Sequence, residues 1–295
     1  MRNRPSPFLF VFLALLFWAP LAHAGKFPHQ VAPPGTSRIA GTVPFDLYQG
    51  NFIVARGSIG PLKNLNFFVD TGTTPAVLDA RIARKLDLPN EEPASILVLG
   101  GKTQGKFVSL PTVELGPVKR SNLPVVTTDL SFFEKFLPVR IDAIVGIDVL
   151  GQEPFVIDYS ARVIRFGSTP VLPVSVPLRL DHGMAVFEVD IDHTPEHLLL
   201  DTGAGSIILF DKTALQDPNA QNINLSTQKV GDFESKHVWL RTLKLGPEEF
   251  RRKPALMTRN PKPSQLDYDG LISPAALGIS QVAVDLQRGL LAFSR

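Results

Sequence analysis

Apolar and polar residues alternate along most of the chain with a period of two, which predicts β-strands. The alternation occurs in two stretches with the same layout. One opens at Val43 with VPFDL and the other at Val176 with VPLRL, and Gly50 and Gly183 follow at the same distance. Because successive side chains of a strand point to opposite faces, each stretch is expected to bury one face. The pattern predicts two strand-rich halves built from the same succession of elements.

In each half, three apolar residues lead into the tripeptide Asp-Thr-Gly. The first copy is FFVDTGTTPAVLD at 67–79 and the second is LLLDTGAGSIILFD at 198–211. A short apolar run follows in both copies and ends at an Asp that suits a helix N-cap. Turn-forming Asp residues at two strand ends would be one interpretation. The matched flanks favour another, in which Asp70 and Asp201 form a pair of carboxylates.

The duplication continues to the end of each half. A glycine stands thirty residues after each Asp, inside segments that predict hairpins, and later DAIVG at 142–146 corresponds to DGLIS at 269–273. Closing hairpins are predicted around Asp158 and Asp285. The sequence therefore predicts an all-β fold of two duplicated β-barrel lobes with short helices, related by a pseudo-two-fold axis with a cleft between them. The predicted lobes are residues 39–167 and 174–295, joined by a linker at 168–173.

The N-terminus has the pattern of a secretory signal peptide over residues 1–24. Arg2 and Arg4 precede an apolar run at 8–19, and Ala-His-Ala ends the segment. The run is near a dozen residues, whereas a membrane span needs about twenty. Export to the periplasm or the extracellular space is predicted, with a flexible arm at 25–38 and no membrane span in the mature chain.

Composition narrows the classes of function. The chain has 30 Lys plus Arg and 28 Asp plus Glu, and removal of the signal peptide makes these numbers equal, so nothing indicates a nucleic-acid partner. There is no Cys, which excludes disulfides, thiol nucleophiles and thiolate metal sites. Stability must therefore come from core burial, for which 44% hydrophobic residues are adequate.

Two neighbouring carboxyl groups suit acid–base chemistry. Both cannot ionise cheaply, so one keeps its proton while the other is a base. The base takes a proton from a water that attacks a carbonyl carbon, and the acid donates to the carbonyl oxygen. No metal, cofactor or covalent intermediate is expected in such a site.

The paired Asp-Thr-Gly, each followed later in its lobe by two apolar residues and a small one, resembles the aspartic proteases over roughly 39–295. The glycine at plus thirty and the compact lobes resemble the retroviral protease subunit. The single duplicated chain is similar to the two-lobed pepsin arrangement. The resemblance implies a single-chain, two-lobed, retropepsin-like protease of bacterial type, which works as a monomer on peptide or protein substrates.

Carried onto this sequence, the resemblance implies that Asp70 and Asp201 hold the lytic water. The threonines would lock the two loops together and the glycines would allow a tight turn. The hairpins around Gly100 and Gly101 in the first lobe, and around Gly231 and Asp232 in the second, would be flaps over a bound peptide. The residues that support the two carboxylates would be Thr71, Gly72, Thr73, Thr202, Gly203 and Ala204.

The two halves differ at two places that bear on this expectation. Ser273 stands where the family has Gly, which Gly146 matches, so local distortion of the second lobe is expected without collapse. Thr73 follows the first tripeptide and Ala204 the second. A hydroxyl there favours the charged carboxylate, so Asp70 is expected to be the more acidic member, with an optimum at acidic to mildly acidic pH.

Other functions were weighed against this one. HTPEH at 193–197 has the spacing of a zinc-peptidase motif, but Pro195 argues against the helix it needs. The GGKT at 100–103 lacks the earlier glycine of a phosphate-binding loop. Glycosidases also use two carboxylates, yet do not account for the Thr and Gly after each Asp. A peptide-binding protein with this fold and no turnover is the non-enzymatic alternative.

Overall fold

The structure is a computed structural model, and it describes residues 40–88, 92–98, 101–211, 235–259 and 267–295. The predicted signal peptide (1–24) and arm (25–38) lie outside these residues. The first lobe is built from strands, two short α-helices and a 3₁₀ helix at Ser131–Lys135. Its elements are β1 (Gly41–Tyr48), β2 (Phe52–Ile59), β3 (Leu62–Val69), β4 (Val77–Asp79), α1 (Ala80–Lys85), β5 (Pro93–Val98), β6 (Gly101–Leu115), β7 (Val118–Thr128), β8 (Ala143–Val145), α2 (Ile147–Leu150), β9 (Phe155–Asp158) and β10 (Val163–Phe166).

The second lobe repeats this succession in the part of the chain that the structure describes. Its elements are β11 (Val174–Pro177), β12 (Arg179–Asp181), β13 (Met184–Ile191), β14 (Thr194–Leu200), β15 (Ile207–Asp211), β16 (Ser235–Leu245), β17 (Glu248–Arg259), β18 (Gly270–Ile272), α3 (Pro274–Leu277), β19 (Gln281–Asp285) and β20 (Leu290–Ser294).

Strand pairing is equivalent in the two lobes. Strand β3 runs parallel to β8, which is antiparallel to β4, and β4 is parallel to β7. In the second lobe β14, β18, β15 and β17 make the same three pairings. Pairing of β2 with β6, and of β13 with β16, closes each sheet on itself. The predicted all-β fold of two duplicated, barrel-like lobes is confirmed.

The opening hairpins show how local sequence sets this geometry. Strands β1 and β2 are joined by a turn in which Gln49 and Gly50 have φ of 52° and 81°. His182 and Gly183 have φ of 49° and 84° in the turn between β12 and β13. The paired strands leave three residues, 49–51, in the first turn and two, His182 and Gly183, in the second. Gly adopts positive φ without steric cost, so the glycine at the start of each repeat allows the tight turn of each opening hairpin.

The closing hairpins pair with each other, so that one sheet contains strands of both lobes. The predicted hairpins around Asp158 and Asp285 are β9–β10 and β19–β20. Strand β9 pairs directly with β19, so a six-stranded segment in the order β11-β20-β19-β9-β10-β1 contains strands of both lobes. Asp158 accepts hydrogen bonds from Arg165 and, across the lobe boundary, from Gln281, both at 2.7 Å. Its role is structural, as its position at a strand end predicts.

The apolar core is continuous across this boundary. One cluster of buried side chains includes residues of both lobes, among them Ile157 of β9 and Val282 of β19. Two smaller clusters lie one in each lobe, around Phe68 and around Leu199. Because these side chains are removed from water in a shared core, the lobes hold a fixed relation to each other. Among the described residues, no helix has the length and apolar character needed to cross a membrane.

Candidate active site

The two Asp-Thr-Gly segments begin where equivalent strands end. Asp70 follows β3 and Asp201 follows β14. The backbone N–H of Asp70 donates to the Val145 carbonyl at 3.0 Å, and that of Asp201 donates to the Ile272 carbonyl at 3.1 Å. Each acceptor is the last residue of the neighbouring parallel strand. The ends of strands β8 and β18 therefore fix the backbone of Asp70 and Asp201.

The two loops meet through reciprocal hydrogen bonds of Thr71 and Thr202. The hydroxyl of each threonine accepts from the backbone N–H of the other, at 3.1 Å in both directions. The Thr71 hydroxyl also donates to the Leu200 carbonyl at 2.7 Å, and the Thr202 hydroxyl donates to the Val69 carbonyl at 2.9 Å. All four bonds are buried. The threonines thus join the strand ends of one lobe to those of the other.

The glycines allow the loops to approach each other. A Cβ added at Gly72 would lie 2.8 Å from Cγ of Asp201, and one at Gly203 would lie 2.5 Å from Cγ of Asp70. Neither glycine has positive φ. The predicted tight turn is present in the first loop, where the Thr73 N–H donates to the Asp70 carbonyl at 3.1 Å, and the structure adds a second reason for glycine. Each glycine leaves room for the carboxyl group of the opposite lobe.

The carboxyl groups of Asp70 and Asp201 lie near enough for their charges to interact, and they have unequal partners. Asp70 accepts from the Gly72 N–H at 2.9 Å and from the Thr73 hydroxyl at 2.8 Å. Asp201 accepts from the Ala204 N–H at 2.8 Å on Oδ1, and its Oδ2 is buried without a donor among the described residues. In that part of the chain, Asp70 therefore has more hydrogen-bond donors than Asp201.

This arrangement separates the proton affinities of the two acids. Burial raises the pKa of Asp70, and the hydrogen bonds from Thr73 and Gly72 oppose the rise by stabilising the carboxylate. Burial raises the pKa of Asp201 further above its usual value, because the neighbouring charge of Asp70 adds to it. In the singly protonated pair, Asp201 holds the proton and Asp70 is the carboxylate. The site therefore pairs a carboxyl that holds its proton tightly with one that releases its proton more readily.

Gly146 and Ser273 occupy equivalent positions but have different surroundings. A Cβ at Gly146 would lie 1.9 Å from the Thr73 carbonyl oxygen, so only glycine fits. Ser273 carries a Cβ at this place, and its backbone has φ −86° and ψ 130° where Gly146 has φ −112° and ψ −155°. Its Oγ is buried without a hydrogen-bond partner. The difference is local, since the pairing of β18 with its neighbours is intact.

The first predicted flap is described in part. Strands β5 and β6 form an antiparallel hairpin whose last described pair is Val98 with Gly101. Gly100 lies outside the described residues, and so do Gly231 and Asp232 of the second predicted flap. Ala94 of β5 packs in the apolar cluster around Phe68. This hairpin is thereby attached to the core of the first lobe.

The HTPEH segment has no helix. His193 lies in a turn with φ of 72°, and Thr194 begins strand β14. Within the described ranges, no group of three or more His, Asp or Glu side chains is arranged to hold a metal ion. The helix on which the zinc-peptidase spacing depends is therefore absent from this segment.

Two polar side chains near the loops were not singled out from the sequence. Asn51 Nδ2 donates to the Ala204 carbonyl at 3.3 Å, and Asp148 Oδ2 accepts from the Ala76 N–H at 2.7 Å. A signal for both is present in the sequence, because each departs from the internal repeat. The second lobe has Met184 at the position equivalent to Asn51, and Ala275 at the position equivalent to Asp148.

Comparison with known families agrees with this geometry. Residues 55–149 match the family model described as aspartyl protease. The matched range includes the first Asp-Thr-Gly, the hairpin of β5 and β6, and Gly146. No curated protein matches the chain at a significant level. The match supports a retropepsin-like aspartic protease family for the first lobe.

Proposed function

We propose that the protein is an exported aspartic endopeptidase that hydrolyses peptide bonds with a water activated by Asp70 and Asp201. The observation that carries the proposal is the contact of two buried carboxyl groups with unequal proton affinity. One comes from each lobe, and the reciprocal threonine bonds hold them together. The family match of the first lobe supports peptide as the substrate.

The proposed reaction assigns each proton to a carboxyl. Asp70, as the carboxylate, takes a proton from water while the water oxygen forms a bond to the scissile carbonyl carbon. Asp201 gives its proton to the carbonyl oxygen, which produces a tetrahedral diol. Asp70 then passes its proton to the amide nitrogen as the C–N bond breaks, and Asp201 takes a proton back from a diol hydroxyl. The pair returns to its singly protonated state, and the chain forms no covalent bond to substrate.

The proposal extends to location and assembly. Residues 1–24 support export through their signal-peptide pattern. Both carboxyls belong to one chain, so we propose that a monomer has a complete site with pseudo-dimeric lobes. The interlobe pairing of β9 with β19 supports a fixed arrangement of the two halves. Bacterial origin stays a prediction from the resemblance.

One observation favours the second candidate, a peptide-binding protein without turnover. Asp70 and Asp201 are both 0% exposed, so a scissile carbonyl reaches them only after surrounding residues move. Ser273, whose hydroxyl has no partner among the described residues, also departs from the glycine found at the equivalent position beside Asp70. In this candidate the lobes would hold a peptide, and the dyad would not be reached.

The test is cleavage of a mixed peptide library by the purified protein, processed from its full-length gene, between pH 3 and 7. Mass spectrometry identifies the cut sites, and reaction in ¹⁸O-labelled water should place one label in the new carboxyl group. Asp70→Asn and Asp201→Asn should each abolish cleavage, while a metal chelator should leave it unchanged. Saturable peptide binding with no cleavage at any pH, by folded protein, would favour the second candidate. Hydrolysis of a labelled glycan without peptide cleavage would contradict both.

A further inference from the structure

Asn51 is a first-lobe residue that contacts the catalytic loop of the second lobe. It follows the turn between β1 and β2, where its backbone N–H donates to the Tyr48 carbonyl at 3.1 Å. Its side chain is buried, and Nδ2 donates to the carbonyl of Ala204 at 3.3 Å. The N–H of the same residue, Ala204, donates to Oδ1 of Asp201. One amide side chain therefore holds the residue that contacts the acid of the dyad.

Among the described residues, the second loop has fewer side-chain hydrogen bonds of its own than the first. In the first lobe, the Thr73 hydroxyl donates to Asp70, and Asp148 accepts from the Ala76 N–H, which follows the loop. The equivalent positions of the second lobe are Ala204 and Ala275, whose side chains form no hydrogen bonds. The second loop keeps the bonds of Thr202 but lacks these two, so a contact from another part of the chain can contribute to its orientation.

Ser273 adds a steric reason. In the first lobe the loop carbonyl of Thr73 lies so close to Gly146 that a Cβ there would be 1.9 Å away. Ser273 has a Cβ at the equivalent position, so the second loop cannot repeat that approach. The Ala204 carbonyl corresponds to that of Thr73 and faces the Asn51 amide. The second loop cannot approach the end of β18 as closely as the first loop approaches Gly146. The first lobe supplies a hydrogen-bond donor to this second loop instead.

No equivalent hydrogen bond runs from the position of Asn51 in the second lobe to the first loop. The counterpart of Asn51 in the second lobe is Met184, which is buried in the apolar cluster around Leu199. A thioether is at most a weak acceptor and donates nothing to the first loop. The support therefore acts in one direction, toward the loop of Asp201.

We propose that Asn51 is a positioning residue for the dyad, whose amide fixes the Ala204 peptide group so that its N–H stays directed at Asp201. The inference rests on the proposed function only in calling the Asp pair catalytic. The other titratable groups whose charge is coupled to Asp201 are Asp70, Tyr159 and Tyr268. Burial raises the pKa of both phenols, so they stay protonated throughout the range of interest.

The experiment is an Asn51→Leu variant of the full chain, which keeps a similar volume and removes the donor. Asn66→Leu is the matched control, because Asn66 Nδ2 also donates to a carbonyl, that of Arg140 at 2.8 Å, but within the first lobe. Carboxyl titration is followed by NMR in protein labelled with ¹³C at Asp side chains. With the Ala204 N–H less firmly held, the Asp201 carboxylate is less stabilised, so its titration should move upward by about half a pH unit.

Where peptide cleavage is measured, Asn51→Leu should lower kcat about tenfold with KM within about twofold, and the basic limb should shift upward. Asn66→Leu should leave titration and kinetics unchanged. An unmoved Asp201 titration in Asn51→Leu, or an equal shift in both variants, would overturn the proposal. Because titration does not depend on turnover, a shift in a protein that cleaves nothing would support Asn51 while refuting the endopeptidase.

Discussion

The Thr73 hydroxyl donates a hydrogen bond of 2.8 Å to Oδ2 of Asp70, and no hydroxyl stands at the same place beside Asp201. In a duplicated fold, this difference gives the two carboxyls different hydrogen-bond partners. A hydrogen bond to the charged form lowers the pKa, so it directs the shared proton to the other acid. Ala204 contributes only its backbone N–H to Asp201. Thr73 is thereby one side chain that separates the pKa values of the two carboxyls.

Thr73→Ala should therefore move the acid limb of the pH–activity profile upward. At low pH both carboxyls are protonated, and activity rises when the first proton leaves Asp70. Without the hydroxyl, Asp70 binds that proton more tightly, so the limb shifts up by about 0.5–1 pH unit. The measurement is kcat/KM against pH. Thr73→Ser, which keeps the hydroxyl, is the control, and an unmoved limb in Thr73→Ala would refute the asymmetry.

The reciprocal bonds of Thr71 and Thr202 predict a loss of stability. Thr71→Val leaves the Thr202 N–H and the Leu200 carbonyl buried without their partners, which should cost about 1–3 kcal/mol in the free energy of unfolding. Thr202→Val should cost a similar amount. Chemical denaturation with urea measures both. Thr128→Val is the control, because it loses a hydroxyl bond of 3.1 Å on the exposed surface of the first lobe.

The double variant tests whether the two threonines act as one unit. Once either hydroxyl is lost, the loops can separate, which also weakens the hydrogen bonds of the other threonine. The second substitution then removes less stabilisation. The double variant should therefore lose less than the sum of the single effects, by about 0.5 kcal/mol or more. Strict additivity would mean that other contacts hold the loops together.

Stability of the fold should fall with rising pH because of the dyad. Burial raises the pKa of Asp70 and Asp201 in the folded state, so the folded chain binds more protons than the unfolded chain above about pH 4. The stabilisation by the protonated form is complete below the unfolded pKa and is lost as pH rises through the folded pKa. Thermal unfolding from pH 3 to 8 measures this dependence.

Asp201→Asn isolates the contribution of the dyad. The variant should match the wild type at pH 3 and be more stable at pH 8, by about 1–3 kcal/mol. Asp46→Asn, on the exposed face of β1, is the control for the loss of a surface carboxyl. If the wild type keeps its relative stability at pH 8, the carboxyls are not buried as described.

The sequence predicts the elements of this fold better than their partners. Period-two alternation and the repeated Asp-Thr-Gly lead directly to strands β3 and β14. Nothing in the alternation of β9 indicates that it pairs with β19, since an apolar strand fits many neighbours. Gly72 lies in the predicted turn, but its closeness to Asp201 is a contact between lobes that the local sequence does not reveal. Nothing near Asn51 in the sequence indicates its contact, because its partner lies 153 residues away.

Gly146→Ala and Ser273→Ala form a matched pair that tests the difference between the lobes. A Cβ at Gly146 would lie 1.9 Å from the Thr73 carbonyl oxygen, which is backbone and has little freedom to move. Gly146→Ala should therefore destabilise the fold by about 3 kcal/mol or more and abolish cleavage through displacement of the first loop. The same methyl group in Ser273→Ala replaces a CH₂OH whose hydroxyl is buried and has no partner.

Ser273→Ala should leave stability unchanged or raise it by about 1 kcal/mol, because a buried hydroxyl without a partner is removed and the Cβ is kept. The Asp201 N–H still donates to Ile272, so cleavage should be retained. Urea denaturation and kcat/KM of both variants give the comparison. Equal losses in the two variants would mean that the lobes place their loops alike. A loss confined to Gly146→Ala means that only the first loop needs close contact with its strand, and the second is held from across the boundary.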